Sequence, residues 1–137
     1  VEAWKHRLEP PVLQPGEPSA IVRESDGVAV SNQLRLLSQS ERQAVAVIYQ
    51  ALLVGKSVIE KGEHNTLVIK KEVANLIATE PLLKLDDVAI CDPNTLEEIG
   101  ENLGPNHPDF LLVVSVSVGL TRLVDNILWK SSGFWLT

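Results

Sequence analysis

The chain carries two hydrophobic periodicities in succession. Val45, Ile48, Leu52 and Val58-Ile59 recur at roughly helical spacing. Ser38-Gln39-Ser40-Glu41 just ahead of them forms a capping box: the serine hydroxyl satisfies one free amide, and Glu41 reaches back to the Ser38 N–H. One helix is therefore predicted from about Gln39 to Lys61, stopped by Gly62. A second is predicted over about Asn65 to Thr79, with Leu67, Ile69, Val73, Leu76 and Ile77 facing inward and Pro81 just beyond its end. The period then changes. Lys84 to Asp92 alternates as a strand, Asp92-Pro-Asn-Thr95 makes a turn, and Phe110 to Val118 is a β-branched run, with Leu120 to Leu128 returning beside it across Gly119.

Ahead of these elements, Ala20 to Glu24 and Val28 to Val30 are predicted as short partner strands. Between them, Ser25-Asp26-Gly27 is the turn, and Gly27 supplies a positive φ. Glu2 to Leu8 is predicted as a short helix. Four prolines between Glu9 and Pro18 fix φ and remove amide donors, so that stretch is an extended linker. Strand, two helices and then three strands is an α+β pattern, a small antiparallel sheet packed with two main helices.

Composition narrows the function. A chain of 137 residues is one domain by length, with 45% hydrophobic and 22% charged residues. Its net charge of −6 argues against nucleic acid and against anionic membrane surfaces. The longest apolar run, Phe110 to Leu120, is too short to span a bilayer, so no membrane insertion is expected. No secretory signal is visible, which suits the cytoplasm or an organelle. The start at Val1 fits either a processed precursor or a fragment. Cys91 is the sole cysteine and falls in an apolar strand, where it reads as a buried hydrophobe. His6, His64 and His107 show no ligand spacing, so no metal site is expected.

Three segments carry a family resemblance. Residues 21–38 read I-V-R-E-S-D-G-V-A-V-S-N-Q-L-R-L-L-S. They resemble the V-R-E-x-D-G-L-A-M-S-S-R-N-x-Y-L-S segment that opens the C-terminal domain of pantothenate synthetases (pantoate–β-alanine ligases). Val22, Arg23, Glu24, Asp26, Gly27, Ala29, Ser31, Leu37 and Ser38 all match. Val88 to Ile99 is similar to the family's Y-x-E-x-x-D-P-E-T-L-E-P-L turn, and Val118 to Asn126 to V-G-x-T-R-L-I-D-N. The resemblance divides the chain into a remnant helix and Pro-rich linker (1–19), a synthetase C-terminal-like domain (20–127) and a C-terminal tail (128–137).

The resemblance also implies a chemistry. The family uses ATP and Mg²⁺ to adenylate pantoate, and the amine of β-alanine then displaces AMP. The C-terminal domain closes over ATP as a lid, while an N-terminal Rossmann-like domain holds the other substrates. By position in the family's motif, Val22, Val30, Ser31, Asn32 and Gln33 are the nucleotide-binding residues. Gln33 stands where the family has arginine and replaces a charged five-donor fork with a neutral amide. Charge-assisted bonds are worth roughly 1.5–3 kcal/mol against about 1 for neutral ones. The exchange thus costs about one to two powers of ten in rate. Arg35 has two readings: a substitute phosphate contact from a shifted loop, or a solvated surface side chain.

Other residues point less far. Arg122 and Asp125 read as an ion pair or a turn clamp, Asp86 and Asp87 as opposite faces of a strand, and Lys56, Lys61, Lys70 and Lys71 as solvated helix faces. Trp129, Phe134 and Trp135 place three of the chain's six aromatics in the tail. They either cover this domain's own sheet or anchor a protein partner. The weakest of three functions compatible with these residues is a regulatory module that still binds a nucleotide without turning it over; two stand above it. One is the lid of a synthetase completed by an N-terminal domain and inactive as an isolated chain. The other is a non-catalytic subunit of an unrelated multi-subunit assembly, to which the altered Ser31 to Leu34 segment and the tail point.

Overall fold

The computed structural model describes residues 21–104 and 108–137. The expected helix at 2–8, the proline linker, His6 and His107 lie outside the described residues. Three helices, α1 (Gln39–Ala44), α2 (Ala46–Glu60) and α3 (Thr66–Ile77), precede four strands: β1 (Lys84–Cys91), β2 (Phe110–Val118), β3 (Thr121–Lys130) and β4 (Phe134–Leu136). The strands form one antiparallel sheet in the order β1-β2-β3-β4. The α+β class expected from the sequence is the one observed.

The capping box at Ser38 is present in full: Glu41 N–H donates to Ser38 Oγ, and Ser38 N–H donates to Glu41 Oε1 at 2.9 Å. The single helix expected from Gln39 to Lys61 is broken at Val45. There the turn tightens, with Ile48 N–H donating to the Val45 carbonyl three residues back. Gly62 ends α2 with φ +106°. In α3 the buried stripe is Thr66, Ile69, Val73 and Ile77. Leu67, expected to face inward, is 59% exposed. At 100° per residue it lies about 200° from Ile69, on the opposite side of the helix. Asn65 caps α3 instead of joining it, accepting from the Leu67 and Val68 amides.

Alternation decides the faces of the sheet. Phe110, Leu112, Val114, Val116 and Val118 join Leu52, Ile69, Val73 and Ile77 in the main core beneath the helices. Ala89, Cys91, Leu111, Val113 and Leu128 form a second buried cluster, with Leu96, Val124 and Leu136 against it. Gly55 lets α2 approach the sheet closely, since a Cβ there would stand 2.5 Å from Leu112 Cδ2. Gln39–Glu60 is long and apolar enough to cross a membrane by length and composition alone. Its Ile48, Ala51, Leu52 and Gly55 are nonetheless buried in contact with α3 and the sheet, as in the central helix of a domain core.

Two expectations for strands change. The pair predicted before and after Gly27 is a tight hairpin joined by one bridge, Arg23 to Ala29, and lies outside the sheet. The strand expected from Leu120 to Leu128 runs on to Lys130. Residues 134–136 then return beside 128–130 as β4.

Candidate functional site

A groove of about 410 Å³ opens between the hairpin segment, α2 and the outer edge of β3. Only the far end of that edge, Leu128 to Lys130, is covered by β4, so residues 122–126 are left to form a wall. The opposite wall is built from Val22, Val28, Val30, Ser31, Gln33 and Leu34, and Tyr49 from α2 closes one side.

The hairpin reaches this place because Gly27 adopts φ +89° and lies directly against the Tyr49 ring. Its turn is held by Gly27 N–H donating to the Glu24 carbonyl (2.9 Å) and by Asp26, which pairs with Arg42 of α1 at 2.8 Å. The Arg42 guanidinium holds the Asp26 carboxyl below its ordinary value.

Behind the lining, against Asp125 and Tyr49, lies a buried arginine. Arg23 engages all five of its donors: both terminal nitrogens on Asp125 (2.6 and 3.1 Å), and the rest on the carbonyls of Gly27, Asn126 and Thr137. Its face covers the Tyr49 ring at 4.1 Å. With side chains only 9% and 6% exposed, Arg23 and Asp125 are a buried ion pair. Burial pushes the Asp125 carboxyl upward, and the bonds from Arg23 and the Asn126 amide oppose that rise. Arg23 therefore holds the groove together and has no donor left for a ligand.

This pairing corrects the sequence reading of Arg122 with Asp125. Residues three apart on a strand face opposite sides of the sheet. Asp125 turns toward Arg23, and Arg122 lies 3.3 Å from Asp86, which also accepts from Ser117 Oγ. Lys70, expected to be solvated, lies 3.6 Å from Glu98. No local signal in the sequence links Arg23 to Asp125, 102 residues away. What they share is a place in two of the three quoted segments.

Val22, Val30, Ser31 and Gln33 line the groove together. Val22 is 74% and Val30 50% exposed, and Ser31 Oγ is buried without a hydrogen-bond partner. Asn32 and Arg35 are outside the lining, both on the exposed 3₁₀ turn Asn32–Leu36, where Arg35 Nε donates to the Asn32 carbonyl. Trp129 and Trp135 pack at 5.3 Å, Trp135 meets Phe110 edge-on at 5.7 Å, and both tryptophans rest on the main core. Phe134 is half exposed. Among the described residues, no three His, Cys, Asp or Glu side chains converge in a metal-binding group.

Comparison with known proteins converges on one family. The family model described as pantoate-beta-alanine ligase matches residues 17–128. The pantothenate synthetase of Caldicellulosiruptor saccharolyticus is 41% identical over 110 residues, 80% of this chain and 38% of that protein. That of Dehalococcoides mccartyi is 36% identical over 107 residues, 78% of this chain and 38% of that protein. The crystal structure of pantothenate synthetase from Thermus thermophilus superposes with a TM-score of 0.68 at 27% identity, covering 77% of this chain and 37% of that one. The chain thus spans under two-fifths of the length of these relatives.

Proposed function

The chain belongs to the pantoate–β-alanine ligase family, and on that premise we propose that it is the C-terminal, ATP-covering lid of a pantothenate synthetase-like protein. In this reading, ATP-dependent condensation of pantoate with β-alanine runs through a pantoyl adenylate. The observation that carries it is the convergence of Val22, Val30, Ser31 and Gln33 on one groove. Exposed valines offer apolar faces to a flat base, and the Val30 N–H, donating to the Val22 carbonyl at 3.0 Å, holds the two side by side. Ser31 Oγ, buried and unpartnered, has a hydrogen bond to give to a phosphate oxygen.

The phosphate-side cation is the weak element of the lid. Gln33 lines the groove as a neutral amide, Arg35 points its Nε at its own turn, and Arg122 in the β3 wall is engaged by Asp86 at 3.3 Å. Asn32, also on that turn, donates through its side-chain amide once the lid closes. Mg²⁺ would be held chiefly by the nucleotide phosphates and would neutralise their charge. The acid and amine pockets belong to a Rossmann-like N-terminal partner, so the isolated chain is inactive. The competing role, a non-catalytic subunit of a larger assembly, is favoured by Gln33 at the arginine position and by half-exposed Phe134.

Titration of MgATP against the 137-residue chain, followed by heat or by Tyr49 and Trp emission, tests the reading. Weak saturable binding that Val30→Asp abolishes is expected. Pantothenate formation is expected only after the N-terminal domain of a family member is added. Neither binding nor activity in any combination would overturn the lid and leave the subunit role.

A further inference from the structure

The family match ends at residue 128, and the last strand lies beyond it. We propose that this β3–β4 extension is a positioning element of the groove: by holding Arg23, it fixes the hairpin and the Tyr49 ring that form the groove's wall. The coupling goes beyond the ligase reading, since it holds whatever the groove binds.

Four of the five Arg23 donors end on acceptors before residue 128, namely Asp125 twice, Gly27 and Asn126. The fifth, Nε–H, ends on the carbonyl of Thr137, immediately after β4. Without that acceptor, a charged donor buried behind the groove's lining is left without a partner, at the cost of its desolvation. Arg23 is also the pivot of the hairpin. It bridges to Ala29, donates to the Gly27 carbonyl and lies over Tyr49, whose ring Gly27 also abuts.

The extension is also held by contacts that do not involve Arg23. Residues 134–136 pair with 128–130, and Trp135 packs on Phe110 and Trp129. Asp109 ties down the turn by accepting from Lys130 Nζ at 2.7 Å and from the Ser131 amide at 2.8 Å. Thr137, the next residue after β4, is thereby presented to Arg23 by a strand paired to the sheet. Order in the tail and order in the hairpin reinforce each other, and by reciprocity each is weakened when the other is lost.

Amide exchange measured by NMR on the 137-residue chain tests this. Two variants release the tail: removal of residues 132–137, and Trp135→Ala, which decides the matter if the shortened chain does not fold. The reporters are the hydrogen-bonded amides of Glu24, Gly27 and Val30, and the control is Ile69 in α3. Exchange at the hairpin is expected to rise roughly tenfold more than at Ile69, which reports whatever the core loses with Trp135; the margin is the loss of one charge-assisted bond. In an Arg23→Lys background, releasing the tail is expected to add nothing at the hairpin, because the Nε–H is already gone. Hairpin exchange that stays at the wild-type rate, rises in step with Ile69, or responds as strongly in the Arg23→Lys background overturns the proposal.

Discussion

Replacing Arg23 with Met removes the cation beneath the groove while keeping most of its aliphatic stem. The variant leaves the Asp125 carboxylate in a site where only 6% of it is exposed, and removes the donor from the carbonyls of Gly27, Asn126 and Thr137. Breaking a buried ion pair costs about 3–5 kcal/mol, and the lost contact with Tyr49 adds about 0.5–1. A loss of about 4 kcal/mol is a large share of the 5–15 typical of a domain. With a urea slope near 2 kcal/mol per molar, it moves the midpoint down by about 2 M. The deficit depends on pH with a definite sign. Burial raises the Asp125 carboxyl and Arg23 opposes that rise, so removing Arg23 lets it climb further. A raised carboxyl contributes stability that is present below its unfolded value and lost as pH rises through the folded one. The deficit of Arg23→Met is therefore smaller at pH 5 than at pH 7. Arg23→Met combined with Asp125→Leu recovers part of the loss, because neither charge is then buried. Urea denaturation of all three proteins at both pH values checks this. A cost under about 1 kcal/mol at pH 7, or a deficit that grows toward pH 5, refutes the role given to the pair.

Four further outcomes rest on the same geometry. Gly27→Ala places a Cβ 2.1 Å from Tyr49 Cδ2 at φ +89° and is expected to cost about 1–3 kcal/mol; unchanged stability and Tyr49 resonances would contradict it. Gly55→Ala gains about 1 kcal/mol of helix propensity but meets Leu112 at 2.5 Å and Val73 at 3.0 Å, so a net loss of up to about 2 kcal/mol is expected in urea. Burial raises the Asp109 carboxyl, but bonds from Lys130 and Ser131 outweigh it and hold the group below its ordinary value. The support it gives the β3–β4 turn is present above about pH 4 and lost as pH falls through the lowered value, a Trp emission change that Asp109→Asn removes. Gln33→Arg, assayed with a complementing N-terminal domain, is expected to raise adenylation about 10- to 100-fold; no gain would separate this position from the phosphates.

Those parts of the fold that local chemistry decides are legible in the sequence. The Ser38 capping box, the Gly62 stop, the Asp92 turn and the Phe110–Val118 strand are each set by a few adjacent residues, and each lies where the pattern places it. Leu67 departs from expectation because an apolar side chain in the first turn of α3 is drawn inward by composition but outward by its helical angle. Val45 breaks a helix whose stripe continues across the break, so periodicity alone carries no sign of it. The hairpin at 22–30 has strand composition but only one bridge, since a groove takes the place of further pairing. The site is legible only as a resemblance. Its supporting pair, Arg23 with Asp125, joins distant segments and depends on the tertiary fold for its meaning.

The 3₁₀ turn Asn32–Leu36 buries none of its residues, whereas Arg23 and Asp125 underpin the whole groove. The two sets of positions therefore face different evolutionary filters. A substitution at Arg23 or Asp125 is penalised in folding, before any chemistry is sampled. On the lid reading, exchanges at 32 and 33 would leave the domain intact and act through the ligand. A lineage released from catalysis would thus keep the frame of the V-R-E-x-D-G and T-R-L-x-D-N segments and drift first in the stretch between Ser31 and Leu34. That stretch is where this chain departs from the family's Ser-Ser-Arg-Asn.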